Sequence, residues 1–149
     1  MAKNMQNNAF RRLKIEDYEE QYQDDDDTDT PGLGPDENEV NQLMHANKLN
    51  DALKAALRNP PLKTKNQAIK DKAGALVGRV LCAFKQSDIE TGVQALTSDE
   101  QQLLLKYVYK AFEAPAEHNC ALLLAWHERL HAAGGNGLIV RVFTDRKRL

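Results

Sequence analysis

His127-Glu128-Arg129-Leu130-His131 is the stretch of this 149-residue chain whose residue types and spacing match a catalytic motif. On a helix, two histidines four apart share a face and could grip zinc, with the glutamate as general base. Ala132-Ala133-Gly134 even continues the longer form of that motif, in which a third histidine follows the glycine. The position for it holds Gly137, and the nearest downstream carboxylate is Asp145. The remaining histidines, His45 and His118, lie upstream. A catalytic zinc needs three protein ligands and an open position, so the expected reading is a plain helix. Trp126 is then buried, His127, Glu128 and Arg129 lie near the surface, and no metal or cofactor is bound. Cys82 and Cys120 sit in apolar helical contexts. They read as reduced core thiols, since nothing near either suggests a lowered thiol pKa. Gly134-Gly135-Asn136-Gly137 lacks the Lys-Ser/Thr of a phosphate loop and reads as a turn.

Basic clusters raise nucleic acid as a second possibility. Lys63, Lys65, Lys70 and Lys72 form one, and Arg141, Arg146, Lys147 and Arg148 another. The charge distribution argues against it. The formal net charge is −2, but residues 1–39 hold 12 acids and four bases, leaving 16 bases and 10 acids in residues 40–149. An arm of −8 thus precedes a body of +6, and its carboxylates would compete with phosphates. No nucleic-acid partner is expected. Tyr107 and Tyr109, flanked by Lys106 and Lys110, suit a protein interface, with Tyr107 the better candidate for the core.

The elements that position these residues fall into two parts. Residues 1–35 read as an extended or disordered acidic arm. Asp24 to Asp27 repel one another, and Thr30-Pro31-Gly32-Leu33-Gly34-Pro35 opposes regular structure. Within the arm, residues 9–18 carry Phe10, Leu13, Ile15 and Tyr18 with Arg11 and Arg12, a set of anchors suited to a peptide that orders on a partner. No stretch approaches the ~18 consecutive apolar residues of a membrane span, and the first residues lack the apolar run of a secretory signal. A cytoplasmic protein without a membrane partner is expected.

Residues 36–149 read as helix after helix. Asp36 caps a helix holding Val40, Leu43 and Met44. Leu49, Leu53, Ala56 and Leu57 form a second stripe, stopped by Asn59-Pro60-Pro61. Ile69, Ala73, Leu76, Val77, Val80, Leu81 and Phe84 follow at the helical period. Ser87 with Glu90, and Thr97 with Glu100, fit capping boxes for a short helix and a longer one. A last helix carries Leu122, Leu123, Trp126 and Leu130 and ends at Gly134-Gly135. Leu138 to Phe143 has strand propensity, but a lone strand would have no partner, so a short buried helix is expected. The fold class is all-α: an irregular α-α superhelix or helical bundle of six or seven helices with an extended N-terminal arm.

Several strings occur in a specific order. They are Phe10-Arg11-Arg12 with Ile15-Glu16-Asp17-Tyr18, Gly34-Pro35-Asp36-Glu37, Ala55 to Pro61, Lys65 to Asp71, and Lys106 to Glu113. Trp126-His127-Glu128, Ala132 to Gly135 and Ile139-Val140-Arg141-Val142 complete the set. In this order and spacing the chain resembles subunit 5, the smallest subunit, of the actin-related protein 2/3 complex, over essentially its whole length. His131, Asn136, Leu138 and the Asp24–Asp27 run depart from the commoner family pattern. The resemblance implies a non-enzymatic scaffold in an assembly that nucleates branches on actin filaments. It implies a body packed on the twenty-kilodalton scaffold subunit and the β-propeller subunit, and an arm reaching an actin-related subunit. The candidate contacts are Phe10, Arg11, Arg12, Leu13, Ile15 and Tyr18 in the arm. In the body, Tyr107, Tyr109, Trp126, Ile139, Arg141 and Phe143 serve interface or core.

Overall fold

A computed structural model describes residues 34–116, 118–147 and 149. The expected arm and its docking peptide at 9–18 therefore lie, except for Gly34 and Pro35, outside the described residues. Among the described residues six helices follow in order: α1 Glu37–His45, α2 Leu49–Leu57, α3 Gln67–Ala83, α4 Ile89–Gln94, α5 Ser98–Phe112 and α6 Cys120–Thr144. Among the described residues there is no strand. The all-α expectation holds, and so does the helix count: α6 contains a non-helical residue, Gly135 at φ 61° and ψ −166°, which divides it into two helical segments.

Local chemistry explains most of the boundaries. The Asp36 carboxylate accepts from the Asn38 and Glu39 amides at the start of α1, satisfying donors that have no partner inside the helix. α1 ends on Asn47 at φ 58°. The Lys48 amide returns to the Leu43 carbonyl and the Asn47 amide to Met44, both at 3.0 Å. This is a Schellman ending, in which asparagine replaces the usual glycine in the left-handed conformation. Thr97 and Glu100 form the expected reciprocal box on α5. The box expected at Ser87 does not form. Asp88 takes the cap position without a side-chain bond to the helix, and the Ser87 hydroxyl donates to the Asp88 carboxylate instead, at 2.8 Å. The helix starts one residue later than the box requires, with Asp88 rather than Ser87 at its cap.

The core gathers one apolar face from every helix. Val40 of α1, Leu53 of α2, Val77 and Leu81 of α3, Ile89 of α4, Leu104 and Val108 of α5 and Trp126 of α6 are all fully buried. α5 and α6 form the most extensive helix pair, while α2 bridges α1 to α3. Trp126 is the centrepiece. Its ring meets Phe84 edge-on at 5.0 Å between centroids, and its Nε1–H donates to the Leu81 carbonyl at 3.3 Å. Leu81 lies in the last turn of α3, where carbonyls have no helical partner, so the indole closes that helix from the side. Gly92 makes room: a Cβ there would stand 2.9 Å from the Trp126 ring and 3.2 Å from Phe84.

Two expectations about burial are corrected. Cys82 and Cys120 are free thiols but only half-buried, because Cys82 sits at the edge of α3's apolar face and Cys120 opens α6. The 138–143 segment is helical as expected, yet it is not a buried helix. Leu138 is enclosed, whereas Val140 is 57% and Phe143 69% exposed. The run is apolar around more of its circumference than the body can cover.

Candidate interaction surface

α5 and the second segment of α6 build the surface on which those exposed side chains lie. Gly135 redirects the chain, and Gly134 permits the redirection, since a Cβ on it would come within 2.8 Å of Leu138 Cβ. Leu138 then plugs into the core. One turn on, Val142 and Phe143 face α5 across a groove of about 430 Å³, lined also by Tyr109, Leu149, Lys106, Lys110, Lys147 and Glu113. The floor is aromatic and aliphatic, and Lys110, Glu113 and Lys147 stand at the rim. Tyr109 and Phe143 stack at 5.4 Å with a tilt of 36°. The Tyr109 hydroxyl shares a 3.1 Å hydrogen bond with His127 Nε2, and partial burial raises the Tyr109 pKa.

Lys106 locks the groove's far wall. Its Nζ donates to Asp145 Oδ2 at 2.6 Å and to the Lys147 carbonyl at 2.8 Å. The side chain is 8% exposed and that of Asp145 30%. The hydrogen bond from Lys106 first, and the Lys147 amide second, hold the Asp145 carboxyl below its usual range. A buried ammonium is costly unless it is paired and hydrogen-bonded, so this cation ties residues 145–147 against α5. Lys110, one turn further along α5, pairs with Glu113 at 3.0 Å and with Asp71 of α3 at 3.4 Å. The hydrogen bond to Glu113 is the main reason its pKa is raised.

The six body candidates separate into three groups. Tyr109 and Phe143 meet in the groove, and Arg141 is exposed beside it. Ile139 is half-buried against the core. Tyr107 and Trp126 are core residues, 1% and 0% exposed, and burial holds the Tyr107 phenol well above its ordinary range. The six arm candidates, Phe10 to Tyr18, lie outside the described residues. Val140 and Val142 were read only as part of the buried 138–143 helix, and Leu149 and the Lys106 lock were not read at all. An unbroken apolar run from Leu138 to Val140 was the available signal for the first, because a helix buried on one face carries polar residues on the other.

The two histidines of the zinc-like motif turn to different neighbours: His127 to Tyr109, and His131 to Asn136 Oδ1 at 2.9 Å across the bend. Glu128 is exposed. Among the described residues no group of three or more His, Cys, Asp or Glu is placed to share a metal ion. Among them, too, no helix is long and apolar enough to cross a membrane.

Fold and surface together define an all-α helical module with a rigid core and an uncovered apolar-aromatic face. Residues 9–149 match the family model described as ARP2/3 complex 16 kDa subunit (p16-Arc). The chain is 44% identical over 148 residues to actin-related protein 2/3 complex subunit 5-C of Xenopus laevis, covering 99% of both chains. It is also 44% identical over 151 residues to the subunit 5-like protein of that complex in Homo sapiens, again covering 99% of both. This chain belongs to the 16 kDa (p16-Arc) subunit family of the ARP2/3 complex.

Proposed function

We propose that this chain is a non-catalytic structural subunit of the actin-related protein 2/3 complex, supporting actin filament nucleation and branching in the cytoplasm. The observation that carries the body's role is the Tyr109–Phe143 groove with Val140 beside it. Phe143 is 69% and Val140 57% exposed, while Leu124 in the first segment of α6 is 60% exposed. Aromatic anchors in a shallow pocket ringed by charge have the anatomy of an interface centre. In this reading the face packs on the twenty-kilodalton scaffold subunit and the β-propeller subunit. The N-terminal arm, residues 1–35, reaches an actin-related subunit through Phe10, Leu13, Ile15 and Tyr18, with Arg11 and Arg12 supplying polar complementarity. The spacer after Tyr18 makes that second contact intramolecular, at an effective concentration in the ~mM range for a short flexible linker. Contact with actin filaments is indirect, and any nucleotide hydrolysis belongs to the actin-related subunits.

Affinity purification of the tagged full chain, followed by mass analysis, tests the reading. Near-stoichiometric recovery of the complex's other subunits supports it, and recovery of the chain without them refutes it. Alanine at all four arm anchors is expected to leave the body assembled while lowering branching or retention of the actin-related subunit. Unchanged behaviour in both assays would refute the arm's role.

A further inference from the structure

We propose that before assembly the arm of the same chain occupies the Tyr109–Phe143 groove, shielding the apolar face until a partner displaces it. This rests on the assignment of that groove as a partner-facing surface.

Three observations favour this occupant. The first is charge. Residues 16–29 contain nine acids and no base, whereas residues 139–149 contain four bases and one acid. Lys147 and Arg141 are both exposed at this end of the body, Lys147 on the groove rim itself.

The second is chemistry. The arm carries apolar anchors, Phe10, Leu13, Ile15 and Tyr18, with Arg11, Arg12 and Lys14 among the first three and the acidic run of 16–29 beginning at the last two. The groove offers those anchors an aromatic and aliphatic floor, Tyr109, Val142, Phe143 and Leu149, with Lys147 at its rim.

The third is reach. The arm joins the body at Gly34, which lies against Ile69 in the first turn of α3. Asp71, two residues along that helix, contacts Lys110, and Lys110 lines the groove. The chain therefore leaves the body about one or two helix diameters from the groove, roughly 10–25 Å. From Tyr18 to Gly34 the chain spans up to about 55 Å when extended. Tethering at this length favours the intramolecular contact over a second copy at ordinary concentrations.

Zero-length carbodiimide coupling of the purified full-length wild-type chain tests this, because it joins only carboxylates and amines already in contact. The monomer fraction is isolated and its links mapped by mass spectrometry. Links from Glu16–Asp29 to Lys147 or Lys110 should exceed any link from the arm to Lys48, Lys54 or Lys63 by about tenfold. They should fall several-fold between roughly 0.02 and 0.5 M salt, as screening shortens the range of the attraction. They should fall again when Phe10, Leu13, Ile15 and Tyr18 are all alanine, and disappear in the purified complex. Links spread evenly over the body, links confined to dimers, absence of links, or their persistence in the complex would each overturn the proposal. If links are absent while Phe143→Asp still loses the partners, self-shielding alone is wrong and the partner face stands. If links are present while Phe143→Asp keeps every partner, self-shielding stands and the partner face is wrong.

Discussion

Lys106 Nζ stands 2.6 Å from Asp145 Oδ2, joining the middle of α5 to the residue that ends α6. The two ends of this pair are not equivalent, because Lys106 is buried and Asp145 reaches solvent. Asp145→Ala strands a buried ammonium, with only the Lys147 carbonyl left to it, and should cost about 2–3 kcal/mol. Lys106→Met keeps the aliphatic volume and leaves the carboxylate access to water, so it should cost about 1 kcal/mol. Urea unfolding of the two variants checks the order. Equal losses would contradict the asymmetry.

Acid should release the same lock. Asp145 has a lowered pKa in the folded chain, so the stability it contributes is present above the unfolded carboxylate value of about 3.9. It is lost as pH falls through the folded value. Protection of the amides of residues 145–147 relative to their intrinsic exchange should fall below about pH 4 before that of the Trp126 core. Asp145→Asn should remove this acid-dependent step. Simultaneous exchange of tail and core across that window would contradict the prediction.

Trp126 should be irreplaceable even by another aromatic. Trp126→Phe leaves the Leu81 carbonyl without its donor and opens a gap beside Phe84. A loss of about 2–3 kcal/mol is expected from the hydrogen bond and the cavity together. Denaturant unfolding followed by far-ultraviolet dichroism measures it, and a loss below about 1 kcal/mol would show that the indole is not closing α3.

Two glycines should respond with opposite signs. Gly92→Ala drives a methyl to 2.9 Å from Trp126, an overpacking expected to cost about 1–3 kcal/mol. At Gly137 an added Cβ meets nothing within 4 Å, and the residue lies in a helical segment. Gly137→Ala should therefore raise stability by about 0.5–1 kcal/mol. Thermal melts of both variants decide it.

What could be read from the residues alone follows from how local each cause is. Asp36 and the Thr97–Glu100 box were legible because a cap depends on residues within one turn. So was Trp126 as core, because the apolar spacing around it is helical. Ser87–Glu90 misled because the helix starts at Ile89 with Asp88 at its cap, one residue later than that spacing requires. The half-exposure of Cys82 and Cys120 depends on where α3 and α6 meet their neighbours. Lys106 read only as a cation flanking Tyr107. Only the return of residues 145–147, 39 or more positions later, supplies the acceptors that let it bury. Phe143 and Tyr109 were each singled out as interface candidates, but their stacking arises from the bend at Gly135, whose direction no propensity specifies.

The account stands most directly on the Phe143 face. Phe143→Asp places a charge on an exposed position of the body, so the isolated chain should keep its fold, with Tm within about 2 °C of wild type for a surface change of under ~0.5 kcal/mol. Quantitative mass analysis of partners recovered with the tagged full-length variant is the decisive measurement. A loss of the complex's scaffold and β-propeller subunits by at least about tenfold, equivalent to ~1.4 kcal/mol or more of interface energy, is the predicted result. Stoichiometric recovery of those subunits with the folded variant would contradict it.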